Sequence, residues 1–218
     1  MKTKTIFSKP LTYIMLTIIA TCFSCAVPLH RSNMTVSPPG DGASLGDWAQ
    51  FSAGASLGYG SDSSDDDTVS AFCAGAEFMY NIIGGDEGAL YGGLYGSYHT
   101  TSADDWDESI IRGGVRARYY DHILPSRRLQ AVYGVDIFTE TGDREIGMFK
   151  DDITGFGGSA VVGLNYNFNE NLSLRVDAPV FTTLSRTLEF EGGEVDVDKT
   201  WFGINKDNVV ALALLFSF

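Results

Sequence analysis

Seven charged residues lie within short runs in which apolar and polar residues alternate. If their side chains face the interior of a protein, they could neutralise one another. Arg112, Arg116 and Arg118 share one run, and Arg175 and Asp177 are two apart in a later one. Side chains two apart in a strand point to the same face, and a buried charge needs a partner. We therefore predict an interior ion-pair network that comprises Glu77, Arg112, Arg116, Arg118, Asp136, Arg175 and Asp177. Its structural interpretation is a plug in a narrow lumen, and its functional alternative is a gated or selective pore.

Ser97 and His99 have the potential for nucleophilic catalysis, because a histidine can activate a nearby hydroxyl. Asp104 and Asp105 follow closely in sequence. No Gly-x-Ser-x-Gly or other activating motif surrounds the serine. We expect ordinary polar groups near the end of a strand here, so no catalytic residue is assigned and the protein is not expected to be an enzyme.

Metal and cofactor sites are not expected either. His30 and His122 stand alone, so the sequence has no Cys/His cluster with zinc-ligand spacing. It also has no phosphate or dinucleotide fingerprint between a strand and a helix. If an N-terminal leader is removed after Cys22 or Cys25, Cys73 has at most one available partner. A disulfide framework is therefore excluded.

Eight segments with period-two alternation position these residues. They are separated by turn-rich or charged stretches, and none has helical periodicity. The 25 glycines, many of them inside the segments, also disfavour helix. The segments are close in length to the ~9–11 residues that a tilted strand needs to cross a bilayer. The predicted strands are residues 49–60, 68–81, 89–99, 110–120, 129–138, 155–168, 172–184 and 209–218.

The composition of the two strand faces separates a membrane barrel from a soluble sandwich. One face is apolar, as at Val135, Leu164 and Leu212. The other contains Gly, Ser, Asn and Arg with a few acids and no Lys, which suits a tight barrel interior. Only the third strand is ambiguous, because aromatic residues occupy both of its faces. Since only a closed barrel satisfies every backbone group of such strands in lipid, the predicted fold is all-β: an eight-stranded antiparallel up-and-down transmembrane β-barrel.

The connections alternate between short turns and longer acidic loops, as expected when both termini lie on the periplasmic side. The four longer loops contain 19 of the 28 acidic residues and five of the 15 basic ones. In the second of these loops Asp104, Asp105, Asp107 and Glu108 lie together. Such a negative rim repels phosphate, so nucleic acid is not an expected partner.

Alternating residues around Gly192-Gly193 predict a hairpin in the last long loop. The last two strands would thereby extend beyond the membrane as a ribbon, and an exposed ribbon can pair with another strand edge. The residues expected to face one another are Leu188 and Phe190 with Val195 and Val197.

The N-terminus has the features of a secretory signal peptide over residues 1–25. Lys2, Lys4 and Lys9 precede an apolar run that is shorter than the ~20 residues of a spanning helix. Small residues around Cys25 favour plain cleavage, and lipidation of Cys22 or Cys25 is the alternative. Residues 26–47 are predicted to be a flexible periplasmic lead-in, and residues 48–218 to be the barrel.

The last strand ends on an aromatic residue, and Phe218, Phe216 and Leu214 share its apolar face. With the strand number, the loop asymmetry and the alternating faces, residues 48–218 resemble the barrel domain of the small outer-membrane proteins of the OmpA/OmpX type. No motif of one subfamily is present. The resemblance implies that Phe218, Phe216 and Leu214 form the signal recognised by the barrel assembly machinery.

For function, the resemblance implies a structural or surface-interaction protein in the outer membrane of a Gram-negative-type bacterium. Its partners would be outer-membrane lipid, lipopolysaccharide and an extracellular protein or surface. The alternatives are a narrow porin or transporter for small solutes and, third, a lipid A-modifying acyl hydrolase. Fold analogy does not choose among these roles. An aromatic belt is expected on the turn side from Tyr80, Tyr119, Tyr166 and Phe168.

Overall fold

The computed structural model describes residues 48–63, 68–86, 88–123, 128–190, 192–203 and 209–218. The predicted signal peptide, its cleavage site, the lipidation alternative and the lead-in all precede residue 48 and lie outside the described residues. Three acids of the first predicted loop, at positions 65–67, lie outside them as well.

Nine strands account for most of the described residues, because alternating apolar residues rich in aromatic and β-branched types favour a pleated sheet. Each of the eight predicted strands is present, and the ends on the turn side agree to within a few residues. Among the described residues we find no helix that is both long and apolar enough to cross a membrane. In chain order the strands are β1 (Phe51–Ser63), β2 (Thr68–Gly84), β3 (Gly88–Ser102), β4 (Trp106–His122), β5 (Leu129–Ile146), β6 (Phe149–Asn167), β7 (Leu172–Phe190), β8 (Gly193–Phe202) and β9 (Val210–Ser217).

The strands close into a ring. β1 to β7 pair in sequence order, and β9 lies between β7 and β1. At this seam Leu212 pairs with Leu57 of β1 on one side and with Val176 of β7 on the other. Phe51 and Phe218 exchange backbone hydrogen bonds of 2.9 and 3.0 Å. The predicted eight-stranded antiparallel up-and-down transmembrane β-barrel is thereby confirmed.

The ninth strand, β8, continues the wall above β9. It pairs with residues 181–190 of β7, whereas β9 pairs with residues 172–177 of the same strand. Leu188 pairs with Val195 across the β7–β8 hairpin, and Phe190 pairs with Gly193. The ribbon predicted from the alternation around Gly192-Gly193 is therefore present, with Leu188 facing Val195 as predicted. The predicted partner of Phe190 was wrong, because Val197 pairs with Arg186.

The outward face of the ring is apolar and exposed, as at Leu57 (59%) and Leu94 (65%). Contiguous apolar surface of this size is rare on soluble proteins, so it marks a surface for lipid. The apolar face of β6 begins at Phe156 and continues to Phe168, one residue past the end of the strand. This distance is about 40 Å at ~3.3 Å per residue. At a tilt of ~45° this covers ~28 Å of the membrane normal, close to the ~25 Å band of outer-membrane barrels. Tyr80, Tyr166 and Phe168 are exposed near its turn-side edge, and Tyr119 is half-buried.

The ambiguous third strand has one clear orientation in the structure. Leu94 and Tyr98 are exposed on the lipid side, whereas Tyr91 is buried and Tyr95 lines the lumen. Ser97 and His99 have the parity of Tyr95 and also line the lumen. The polar residues considered for catalysis are therefore inside the barrel.

The strands extend past their predicted boundaries at the extracellular end. β5 reaches Ile146 and β6 begins at Phe149, so the predicted loop of residues 139–154 is a hairpin with a two-residue turn. Gly147 has a φ of 61°, which favours glycine because other residues meet a steric penalty there. The seven residues of β5 beyond Thr139 correspond to ~23 Å of strand, so this hairpin projects well outside the membrane.

A bulge in β7 changes which residues face the lumen. Val161 of β6 pairs with Pro179, whereas the preceding Ala160 pairs with Phe181, so Val180 is the extra residue. Proline cannot donate to a strand ladder and is tolerated at bulges. Because of this shift, inward residues have odd numbers before the bulge, such as Arg175, and even numbers after it, such as Arg186.

Candidate functional site: the barrel interior

The polar faces of β2, β4, β5 and β7 bring the predicted ionic residues into the lumen. Small residues on the same faces make room for them. A Cβ atom added at Gly134 would lie 2.5 Å from Cδ of Arg118 and 2.6 Å from its Nη1. The Arg118 side chain therefore occupies the space that a side chain at position 134 of β5 would need.

Six of the seven predicted residues form what we name the central cluster. Arg118 donates hydrogen bonds to Asp136 at 2.7 and 3.0 Å and to Asp177 at 3.4 Å. Arg175 donates to Asp177 at 2.9 Å and to Glu77 at 2.7 Å. Arg116 donates to Glu77 and, at 3.2 Å, to Asp136. Each carboxylate thus contacts two arginines in a closed ring of six residues: Glu77, Arg116, Asp136, Arg118, Asp177 and Arg175.

The ring has three positive and three negative groups, and its side chains are at most 12% exposed. Removing so many charges from water is costly, and only close pairing with further hydrogen bonds offsets that cost. Additional contacts come from tyrosines. Arg175 Nη1 donates to the Tyr120 hydroxyl at 2.8 Å, and the Arg116 guanidinium lies 3.9 Å from the centre of the Tyr95 ring, a favourable cation–π distance.

The seventh predicted residue, Arg112, belongs to a second group nearer the extracellular end, which we name the upper cluster. Arg112 Nε donates to Glu140 at 2.8 Å, and its guanidinium lies 4.8 Å from the centre of the Phe138 ring. Arg186 also contacts Glu140 and donates to Glu108 at 3.1 Å. The seven predicted residues are therefore divided, in the described part of the barrel, between two neutral groups: six form the central cluster, and Arg112 belongs to the four-residue upper cluster.

Three members of the upper cluster were placed in loops by the sequence pattern. Glu108 was expected on an exposed rim, but β4 already begins at Trp106 and the Glu108 side chain is 9% exposed. Glu140 and Glu108 continue the even-numbered inward parity of Asp136 and Arg112, so this signal was available. Arg186 could not be found in that way, because the bulge at Val180 reverses the parity of β7.

The turn-side end of the lumen is closed by an apolar group, which we name the turn-side stopper. It consists of the buried residues Met79, Ala89, Tyr91, Tyr120 and Val132, with the partly buried Trp48 against them. The Trp48 indole donates to the Gly85 carbonyl at 2.7 Å and stacks on the His122 ring with centroids 4.8 Å apart. Trp48, which lies three residues before the start of β1, is thereby held across this end.

A cavity of about 100 Å³ separates the two ionic clusters. Ser97 Oγ and His99 Nε2 lie 2.9 Å apart in its wall, and Cys73 lines it as a free buried thiol. Lipid lies on the other side of the barrel wall from this Ser–His pair. In the described part of the chain, no group of three or more His, Cys, Asp or Glu side chains is placed to hold a metal ion.

Comparisons with solved structures find proteins to which this chain is similar. The crystal structure of Neisserial surface protein A (NspA) is similar at a TM-score of 0.54 and 14% identity, covering 78% of this chain and 98% of that one. An outer membrane channel from Pseudomonas putida F1 has a TM-score of 0.37 at 9% identity, over 83% of this chain and 100% of that one. The translocator domain of the autotransporter NalP from Neisseria meningitidis has a TM-score of 0.41 at 8% identity, over 99% of this chain and 100% of that one. No protein-family model and no curated protein matches the chain.

The similarity to NspA concerns the fold, and its low identity transfers no activity. The ring of eight strands and the exposed apolar band define this chain as an outer-membrane β-barrel. The predicted location in the outer membrane agrees with that fold class and with the lipid-facing surface.

Proposed function

We propose that the protein is a closed outer-membrane barrel that acts through its extracellular surface and does not conduct solutes. The observation that carries the proposal is the sequence of three barriers along the lumen: the upper cluster, the central cluster and the turn-side stopper. A solute would have to displace two neutral sets of buried ion pairs and a packed apolar group.

The dimensions of the barrel support the same conclusion. Eight strands enclose an interior that side chains alone can fill. The cavity of about 100 Å³ in the lumen is lined by Arg112 of the upper cluster and by Arg116, Arg118, Asp136, Arg175 and Asp177 of the central cluster. A narrow porin or transporter, which is the alternative function, would need these groups to separate.

The extracellular extensions support a role at the cell surface. The β5–β6 and β7–β8 hairpins project beyond the apolar band and carry acidic side chains on their outward faces. This is the role implied by the resemblance to the OmpA/OmpX type, with lipopolysaccharide around the barrel and an extracellular protein or surface as partner. The C-terminal residues Leu214, Phe216 and Phe218 would serve the barrel assembly machinery.

The position of Ser97 and His99 supports a non-enzymatic role. A lipid A acyl hydrolase must present its nucleophile to an acyl chain in the outer leaflet. The hydroxyl of Ser97 points into the lumen between two ionic clusters, where no lipid chain has access through the paired strands.

Conductance of the refolded protein in planar bilayers tests the proposal. Wild-type protein should show no steady conductance beside a general porin measured in the same bilayers. A variant with Glu77→Ala, Tyr120→Ala and Arg186→Met, which weakens all three barriers, should conduct more. Stable wild-type channels of porin-like conductance would contradict the proposal and favour the transporter. A lost acyl chain in lipid A from cells that overexpress the protein would favour the hydrolase.

A further inference from the structure

The upper parts of five adjacent strands form a surface that the function above leaves unexplained. We name it the outer wall; it comprises residues 106–110 of β4, 140–146 of β5, 149–155 of β6, 183–190 of β7 and 193–199 of β8. Its outward face is polar from Thr139, Thr154 and Ser185 upward, so it stands above the lipid. On the other side of the barrel, β1 extends only to Ser63 and β3 only to Ser102.

The concave face of the outer wall, which continues the lumen side, carries apolar side chains around one ion pair, in which Arg144 donates to Asp151 at 2.8 Å. Cross-strand pairing places Ile153 beside Leu188, and Leu188 beside Val195. Higher up, Ile146 pairs with Phe149. The lower positions are covered, since Ile153 is 0% exposed, whereas Phe149 is 72% and Val195 46% exposed. The described residues thus leave the upper half of this face uncovered.

The convex face carries a row of carboxylates at the same height. Asp143 pairs with Asp152, Asp152 with Glu189, and Glu189 with Glu194. Like charges directly opposite one another destabilise a sheet. Lys150 relieves part of the repulsion: it contacts Asp143 at 3.3 Å, and its hydrogen bond to that carboxylate raises the pKa of Lys150. Among the described strands β8 is paired on one side only, so its Glu194 lies at a sheet edge, and Asp196 and Asp198 extend the charge along this strand.

We propose that the concave face of the outer wall binds a cationic amphipathic peptide segment. This inference rests on the proposed surface function and names its class of partner. Apolar side chains of the segment would cover Phe149, Val195 and their neighbours. Lysine and arginine side chains, whose long stems cross apolar surface while the charge stays in water, would reach the carboxylate row over the rim.

The size of the wall fits such a segment. Five strands at ~4.8 Å spacing span about 19 Å, and a helix of twelve residues is about 18 Å long. A second copy of this chain is disfavoured as the occupant, because two carboxylate rows would repel each other. An anionic phospholipid or lipopolysaccharide phosphate is disfavoured for the same reason.

Binding can be measured on the full-length protein in nanodiscs of zwitterionic lipid, with empty nanodiscs as background. The probe is a fluorescent twelve-residue Leu/Lys helix, read by anisotropy. Its two controls are the matched Leu/Glu helix and a Leu/Lys peptide of the same composition whose order destroys the amphipathic face. Only the amphipathic Leu/Lys peptide should bind above background, and binding should weaken between ~0.05 and ~0.5 M salt as charges are screened.

Two pairs of variants locate the site. Phe149→Ser with Val195→Ser removes exposed apolar surface, and Glu189→Gln with Glu194→Gln removes two carboxylates. Each pair of changes should weaken peptide binding at least about fivefold. This corresponds to a loss of ~1 kcal/mol, from apolar burial in the first pair and from charge attraction in the second. The matched controls are Ile123→Ser for the apolar change and Asp121→Asn with Glu170→Gln for the charge change. These lie on the turn side and should alter binding less than about twofold.

The outcomes separate this inference from the proposed function. Equal losses in the wall variants and in the turn-side controls would mean attraction by net charge alone and would overturn the site. Absence of binding above empty nanodiscs, or equal binding of the Leu/Glu helix, would overturn it as well. Conductance recorded on the same wild-type preparation tests the closed barrel independently, because a conducting protein could still bind the peptide.

Discussion

Glu77 is the residue whose loss should reveal most about the central cluster. Its side chain is 2% exposed and contacts two arginines, Arg116 and Arg175. In Glu77→Ala, Arg116 keeps Asp136 and Arg175 keeps Asp177. The cluster then contains three positive and two negative groups, so one buried positive charge has no counterion.

The expected loss of stability follows from that imbalance. Removing one partner of a buried ion pair costs about 3–5 kcal/mol. Glu77 takes part in two pairs, but each arginine retains another carboxylate, so we expect about 3–5 kcal/mol in total and not twice that value. Glu77→Gln keeps the volume and one acceptor, and should cost about 1–3 kcal/mol.

The measurement is equilibrium urea unfolding of the refolded protein in detergent micelles. Tryptophan fluorescence and gel mobility before and after boiling report on the same transition, and the free energy of unfolding is obtained by linear extrapolation. The control is Glu145→Ala. Glu145 is 61% exposed and lies 3.8 Å from Lys150, so its loss should change stability by less than ~0.5 kcal/mol.

A double variant tests the pairing directly. Glu77→Gln combined with Arg175→Met removes both charges of one pair, and should cost less than the sum of the single changes by ~0.5–3 kcal/mol. The reasoning is refuted if Glu77→Ala costs no more than Glu145→Ala, or if the double variant equals the sum. Should Glu77→Ala fail to refold, the comparison of Glu77→Gln and Arg175→Met with the double variant still decides the point.

Three further predictions concern other parts of the barrel. Arg186→Met leaves Glu108 without its buried partner, so the upper part of β7 should become sensitive to protease while the barrel keeps its mobility shift on gels; unchanged protease resistance would contradict this. Gly134→Ala places a methyl group against Arg118 and should lower the free energy of unfolding by about 1–3 kcal/mol, more than an Ala substitution at the exposed Gly113. Deletion of Phe218 should reduce assembly in cells while refolding in detergent persists, and equal loss in both would indicate a structural role instead.

Much of this fold could be predicted from the sequence because β-strand side chains alternate with a period of two. The inward parity of Glu77, Arg116, Arg118 and Asp136 was readable without a structure, since each lies on a strand whose opposite face is apolar. The lipid-facing side was equally readable, because lipid tolerates neither charge nor an open sheet edge.

The ends of the strands were harder to predict from the sequence, because a strand segment with polar residues on both faces resembles a loop in its composition. The β5–β6 hairpin beyond Thr139 is such a case: its acids suggested a solvated loop, whereas its backbone continues the sheet to Ile146. Water on both sides removes the alternation of polarity that marks a strand in the membrane. Glu108 and Glu140 were therefore assigned to the exterior.

The sequence by itself determined that the chain alternates, that its apolar faces require lipid and that charged residues of both signs share the opposite face. Only the tertiary structure decided which charges meet. The pairing of Arg175 with Glu77 joins residues 98 positions apart, and the separation of Arg112 from the central cluster depends on the registers of several strands. The position of Arg186 depends on one extra residue in β7. One inserted residue moves every later side chain of a strand to the opposite face of the sheet. The local alternation of polar and apolar residues does not show where such an insertion occurs.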